Sequence, residues 1–86
     1  MNDVTIYTTS WCPSCVSAKA FFDAKGVAYS EVDVELWADP RGRLEQITGR
    51  RSVPQIVIGE AHIGGFDDLM ALHADGVVDE LLRISA

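Results

Sequence analysis

The first pattern along the chain is Val4-Thr5-Ile6-Tyr7-Thr8, a β-branched and aromatic run that reads as a strand ending shortly before Cys12. From Pro13 to Lys25 the pattern changes to that of a helix. Proline fits its first position, where a missing N–H costs nothing, and Gly26 supplies the stop. At about 100° per residue Cys15, Ala18 and Phe22 share one narrow arc, widened by Phe21, so Cys15 is expected to face inward. Ala28 to Val34 alternates, with Ser30, Val32 and Val34 on one side and Tyr29, Glu31 and Asp33 on the other, as in a second strand.

Asp39 before Pro40 opens a second helix that runs to Thr48 and stops at Gly49. Leu44 and Ile47 are its only clear apolar anchors, so weak packing is expected. Gln55 to Ile58 reads as a third strand, and Gly59-Glu60 as a two-residue turn of the II′ kind into a short antiparallel strand, Ala61 to Ile63. After Gly64-Gly65, Asp67 or Asp68 is expected to cap a helix through Leu69 and Leu72 to about Ala74, with Gly76 as its stop. A last amphipathic helix, Val77 to Ile84, presents Val78, Leu81 and Leu82. The first two strands flank a helix and should pair in parallel through a right-handed crossover. The hairpin adds an antiparallel half, which predicts an α/β fold with a four-stranded mixed sheet flanked by helices.

Composition narrows the function. Eighty-six residues leave room for one domain spanning 1–86. With 48% hydrophobic and 23% charged residues the chain belongs with folded soluble domains rather than disordered ones. Thirteen acidic against seven basic residues give a net charge of −6, which repels phosphate backbones and anionic lipid, so neither nucleic acid nor membrane is an expected partner. No apolar run approaches the ~18 residues of a membrane span, and Met1-Asn2-Asp3-Val4 lacks the features of a signal peptide. The cytoplasm is the expected compartment, and a monomer the expected state.

The candidate chemistry lies in Cys12-Pro13-Ser14-Cys15, the only cysteines, placed where a strand hands over to a helix. A bond across two residues would constrain little chain entropy, so the pair is read as reactive rather than as a staple. Thiols at i and i+3 approach bonding distance in the first helical turn. There the unpaired backbone N–H groups and the positive end of the helix dipole stabilise a thiolate at Cys12. An exposed thiolate at Cys12 is the attacking form in disulfide exchange, and a more buried Cys15 would resolve the mixed disulfide. The rival reading, half of a zinc site completed by His62 and His73, lacks the second closely spaced ligand pair that structural zinc usually draws on. No metal is expected. Val53-Pro54 is open to two readings: a trans bond that starts the third strand, or a cis bond that leaves backbone N–H and C=O groups unpaired ahead of it.

Three motifs in order, Ile6-Tyr7-Thr8 to Cys12-Pro13-Ser14-Cys15, then Ser52-Val53-Pro54-Gln55-Ile56, then His62-Ile63-Gly64-Gly65-Phe66-Asp67-Asp68-Leu69, resemble the glutaredoxin family, and the match runs from Val4 to Leu82. The similarity is greatest to its small bacterial dithiol members. The resemblance implies a thioredoxin-like fold and a glutathione-dependent thiol–disulfide oxidoreductase acting on protein disulfides and glutathionylated proteins. Glutathione would be a co-substrate, with no bound cofactor. By the same resemblance Cys12 and Cys15 are catalytic, Val53-Pro54 is cis, and the Val53 backbone pairs with that of glutathione. Gly65, Phe66 and Asp67 would hold the γ-glutamyl end, through backbone N–H groups and the Asp67 carboxylate. Arg41 would pair with the glycine carboxylate, while Arg43, Arg50 and Arg51 are read as a solvated face that steers anions.

The chain departs from the family at two places. Lysine is common three residues before the first cysteine; here the position is Thr9, still assigned to the glutathione site, and Cys12 is expected to lean on the helix terminus and on a hydroxyl such as Thr9 or Ser14. The usual aromatic third residue of the tetrapeptide is Ser14, and Trp11 precedes Cys12, either as a flat surface for substrate or as a shield for the sulfur. These departures keep a second reading open, a redoxin reduced by thioredoxin reductase or by another small thiol, for instance as the electron donor to ribonucleotide reductase. An iron–sulfur cluster bridging two subunits, known in some relatives, is disfavoured by the stiff Pro13.

Overall fold

A computed structural model describes residues 2–83. Four strands, β1 (Val4–Thr8), β2 (Ser30–Asp33), β3 (Gln55–Ile58) and β4 (Ala61–Gly64), form one sheet in the order β2-β1-β3-β4. The β1–β2 pair is parallel, and the β1–β3 and β3–β4 pairs are antiparallel. The helices are α1 (Pro13–Lys25), α2 (Pro40–Thr48), α3 (Phe66–Ala74) and α4 (Val77–Arg83). This is the mixed sheet with flanking helices that the pattern predicts. Ile84, where the sequence ends the last helix, lies outside the described residues.

Alternation along β1 decides what each face of the sheet carries. Val4, Ile6 and Thr8 are buried and Thr5 and Tyr7 half-buried. The Val4–Ile6 face meets Ile56 and Ile58 of β3, Ile63 of β4, Ala18 and Phe22 of α1, Leu69 of α3, and Val78 and Leu82 of α4, which together make the main core. Phe22 is fully enclosed, with the Phe21 ring edge-on at 5.2 Å. The opposite face is covered more thinly. Tyr7 meets Trp37 there at 6.1 Å between ring centroids, and the Arg43 guanidinium of α2 lies over the same indole at 4.7 Å.

Three elements differ from their sequence reading. The second strand covers only Ser30–Asp33, because Val34 turns into a 3-10 turn, Val34–Leu36, whose first N–H groups are capped by Asp33 Oδ1 on the Glu35 N–H at 2.9 Å. Ile47 is about half exposed, and α2 is anchored instead by Leu44 and by Thr48, whose hydroxyl donates to the Leu44 carbonyl at 2.8 Å. The third helix begins one residue ahead of Asp67, at Phe66, with Gly65 in the cap position. Asp68 serves that cap from inside the first turn, accepting the Gly65 N–H on Oδ2 at 2.9 Å. The two-residue hairpin turn is as expected, with Gly59 at φ +60° between the paired Ile58 and Ala61.

Candidate active site

Cys12 is the N-cap of α1, in extended conformation, with Pro13 at the first helical position. Its sulfur takes the place that a Ser or Asp oxygen usually holds, accepting the Cys15 N–H at 3.1 Å. The Cys12 thiol also faces the Val53 carbonyl at 3.7 Å. A chain entering a helix through Cys-Pro thus aims the sulfur at the free amides of the first turn, where negative charge is favoured. Neither Thr9 nor Ser14 hydrogen-bonds to this sulfur among the described residues, which corrects the expectation of a hydroxyl partner: Ser14 points to solvent, and the Thr9 Oγ1 is buried without a partner. Cys12 is also less open than the sequence implies, only 7% exposed, because the Val53 loop folds over it.

Cys15 is fully buried, as its arc predicts, and both cysteines are free thiols. Burial pushes the Cys15 thiol up from 9.0 to about 12, assisted by the hydrogen bond with Cys12 and opposed by the Thr9 backbone amide. Lys19, one turn further along α1, carries a positive charge towards Cys15 but is held by Glu31 at 2.9 Å, and Glu31 also accepts the buried Thr8 hydroxyl at 2.8 Å. Hydrogen bonds from Lys19 and then Thr8 keep the Glu31 carboxyl below its usual value. The two thiols are therefore unequal: one amide-capped beneath the Val53 loop, the other fully enclosed and protonated at neutral pH.

The Val53–Pro54 bond is cis. Val53 is half-buried and Pro54 buried, and two braces hold the loop around them. Gln55, fully buried, donates to the Ser52 carbonyl at 2.8 Å, and its Oε1 lies 2.8 Å from His62 Nε2. Burial, and then the Arg50 charge, lower the His62 imidazole below its usual value. Arg50 pairs with Asp68 Oδ2 at 2.9 Å, the oxygen that caps Gly65. Among the described residues no group of three or more His, Cys, Asp and Glu side chains could hold a metal ion; His62 is engaged by Gln55, and His73 lies edge-on to Phe21 at 4.9 Å.

A cavity of about 340 Å3 opens beside Val53, between the loop ahead of Cys12 and α2. Thr9, Arg41 and Val53 line it, so three of the residues assigned from sequence converge there, with Trp11 beside them. Val34, Pro40 and Leu44 supply an apolar wall, and Glu35, Arg51 and Ser52 complete the lining. Trp11 is 75% exposed, so its indole stands at the rim of the cavity. Arg41 has no ion pair among the described residues, whereas Arg51 is paired with Glu45 at 3.0 Å and Glu35 accepts from Ser10 at 3.1 Å. Pro54, Gly65, Phe66 and Asp67 are not part of this cavity. Gly65 instead lies against the Pro54 carbonyl, so the start of α3 meets the cis loop on its other side. Arg43 and Arg50 are not simply solvated, because one stacks on Trp37 and the other braces Asp68.

Asp68, Arg50, Gln55 and His62 were not assigned to the site from sequence. Asp68 carries a legible signal, an acid three residues after a helix cap; the other contacts join segments distant along the chain.

The glutaredoxin family model matches residues 4–63 of this geometry-bearing chain. The chain belongs to the glutaredoxin family. It is 46% identical over 82 residues to a glutaredoxin of Pseudomonas aeruginosa, covering 95% of this chain and 98% of that one. Identity is also 46% over 83 residues to glutaredoxin 3 of Escherichia coli, covering 96% and 100%. Among solved structures, a buckwheat glutaredoxin–glutathione complex superposes with a TM-score of 0.84 at 33% identity, over 94% of this chain and 76% of that one. A glutaredoxin from Brucella melitensis gives 0.83 at 43% identity, over 96% and 90%. The fold is accordingly thioredoxin-like, and the paired cysteines belong to a thiol–disulfide oxidoreductase. Among the described residues no helix of this glutaredoxin is long and apolar enough to cross a membrane.

Proposed function

We propose that this glutaredoxin is a glutathione-dependent reductase of protein disulfides and of glutathione mixed disulfides. The observation that carries the reading is the placement of the Cys12 sulfur, 3.1 Å from the Cys15 amide and 3.7 Å from the Val53 carbonyl at the cis bond. The Cys12 thiolate attacks one sulfur of a substrate disulfide. A Cys12–substrate bond forms and the other sulfur leaves as a thiolate, with the developing negative charge near the helix amides. With a protein disulfide, Cys15 loses its proton and attacks Cys12, closing the Cys12–Cys15 disulfide and releasing the reduced substrate. With a glutathionyl group on Cys12, a second glutathione thiolate attacks it, giving glutathione disulfide and the free Cys12 thiolate.

Glutathione is the co-substrate and electron source, with no metal or bound organic cofactor. Val53 offers backbone groups to the tripeptide beside cis Pro54, and Arg41 takes its glycine carboxylate at the cavity where Thr9 also lies. The γ-glutamyl end goes to the other side of the loop, where Gly65 abuts Pro54, with Phe66 and Asp67 as its contacts. There the amides of Phe66 and Asp67 are the ones to use, since the Gly65 N–H is taken by Asp68. The 33%-identical glutaredoxin solved with glutathione supports this ligand. We place the reaction in the cytoplasm, carried out by a monomer serving cell redox homeostasis, because a catalytic dithiol that draws its electrons from glutathione needs a reducing compartment.

The test is NADPH oxidation with a glutathionylated substrate, first with glutathione and glutathione reductase, then with thioredoxin reductase alone. Turnover in the first arrangement only is expected. Turnover in the second only would move the protein to the class of thioredoxin-reductase-linked donors, a reading that Trp11 before Cys12 and Ser14 in the tetrapeptide keep open.

A further inference from the structure

We infer that the cavity between Thr9 and α2 selects protein substrates whose reactive cysteine is followed by a large apolar residue and then by an anionic group. This rests on the glutathione reading, because that reading places the residue after the cysteine, glycine in glutathione, at Arg41.

The cavity is larger and more apolar than glycine needs. Its volume, about 340 Å3, is within the range of roughly 300–1,000 Å3 typical of pockets that enclose small ligands. Glycine brings only a methylene and a carboxylate. The carboxylate suits Arg41, whose guanidinium has no ion pair among the described residues. Of the apolar wall, Val34 and Leu44 are already enclosed by the fold and form a rigid floor, so half-buried Pro40 is the part that a ligand can still cover. Trp11 adds an exposed indole at the rim. A leucine- or methionine-sized side chain entering beside Val53 would cover Pro40 and the Trp11 indole while the following anion reaches Arg41. Arg51 is paired with Glu45, and Glu35 keeps its charge while accepting the Ser10 hydroxyl, so Arg41 is the cation of the lining that has no ion pair among the described residues.

The exchange itself is unchanged. The Cys12 thiolate bonds to the sulfur of the recognised cysteine, the substrate disulfide breaks, and its other half leaves as a thiolate.

The experiment compares symmetrical disulfides of four peptides, each mixed rapidly with the reduced protein, and follows loss of free Cys12 by mass spectrometry. The peptides are glutathione, γ-Glu-Cys-Leu, γ-Glu-Cys-Leu amide, and Leu-Cys-Gly with the leucine moved ahead of the cysteine. The expected result is a rate constant about tenfold above that of glutathione disulfide for γ-Glu-Cys-Leu, of the size hydrophobic pockets give per added group. Amidation should remove much of that gain, and the displaced leucine should give none. In Arg41→Ala, glutathione and γ-Glu-Cys-Leu should slow together while the preference for leucine stays. Equal rates for γ-Glu-Cys-Leu and glutathione, or the same gain with leucine on either side, would overturn the inference and leave the glutathione reading intact. Glutathione disulfide unreactive while cystine reacts would overturn the glutathione reading, and this inference with it.

Discussion

Arg50 and Gly65 meet on one oxygen: Asp68 Oδ2 accepts the Arg50 guanidinium and the Gly65 N–H, each at 2.9 Å. Through that oxygen the segment leading to the cis Val53–Pro54 bond is tied to the start of α3, so the two sides of the proposed tripeptide site are held together by a third residue that touches neither cysteine. Gly64, at φ +110°, keeps the approach open, since a Cβ there would collide with the Asp68 carboxylate.

Removing this oxygen should loosen both segments. The Gly65 amide, with Arg50 in support, holds the Asp68 carboxyl below its ordinary 3.8. A carboxylate with a depressed native value contributes its stability above the unfolded value, and that contribution is lost as pH falls through the native one. Asp68→Asn should therefore cost about 0.5–1 kcal/mol at neutral pH, a modest figure because the pair is partly solvated. Urea titrations of both proteins from pH 8 to pH 2 should show a constant difference down to about pH 5 that shrinks below about pH 4.

Cys15 gives the opposite pH signature. Its thiol is raised from 9.0 to about 12 by burial, so the folded state keeps a proton that the unfolded chain gives up above 9. Stability from this source is complete below pH 9 and falls as pH rises towards 12. Cys15→Ala should flatten the alkaline limb of the stability curve relative to the parent. At pH 7 iodoacetamide should label Cys12 in the folded protein and reach Cys15 only on unfolding, which peptide mapping would show.

Replacement of the two cysteines should separate the two half-reactions. Cys12→Ser should abolish all turnover. Cys15→Ser should spare the glutathionylated substrate and lower protein-disulfide reduction by at least about tenfold, because the mixed disulfide then waits for an external thiol. Equal loss on both substrates would remove Cys15 from its resolving role.

Arg43 should act on ligand affinity through α2. Its guanidinium lies over Trp37, and α2 also carries Arg41 into the cavity wall. Arg43→Ala forfeits a stacking contact worth about 0.5–1 kcal/mol at an exposed site. The expected outcome is a rise of several-fold in the KM for glutathione with kcat held, reversed in part by Arg43→Lys.

Phe22 tests the packing that supports the cysteine helix. It is fully enclosed, and Phe22→Ala should cost about 3–5 kcal/mol in denaturant unfolding. That is a large share of the roughly 5–10 kcal/mol that holds a domain of this size.

Local patterns made most of the elements readable. Pro13 after Cys12, Gly26 after Lys25, and Asp39-Pro40 with Gly49 mark helix ends by rules that act within a turn, and the structure places those ends at these residues. The errors fall where a neighbour in space overrides the local pattern. Val34 continues the alternation of β2 in sequence, but Asp33 caps a tight turn there. Ile47 is apolar, yet Leu44 and Thr48 form the buried face of α2 and leave Ile47 half exposed.

By itself the sequence determined the strand–helix junction that aims Cys12 at free amides, the inward turn of Cys15, and the family, because each depends on spacing of a few residues or on motifs in order. Only the tertiary structure decided that the Val53–Pro54 loop, cis as the resemblance implies, folds over Cys12, that Thr9, Trp11, Arg41 and Val53 share one cavity, and that Arg50 and Asp68 brace the loop on its other side. Those contacts join residues up to about forty positions apart. Their formation depends on how the sheet and helices close on one another, a property of the whole packed chain that no local pattern encodes.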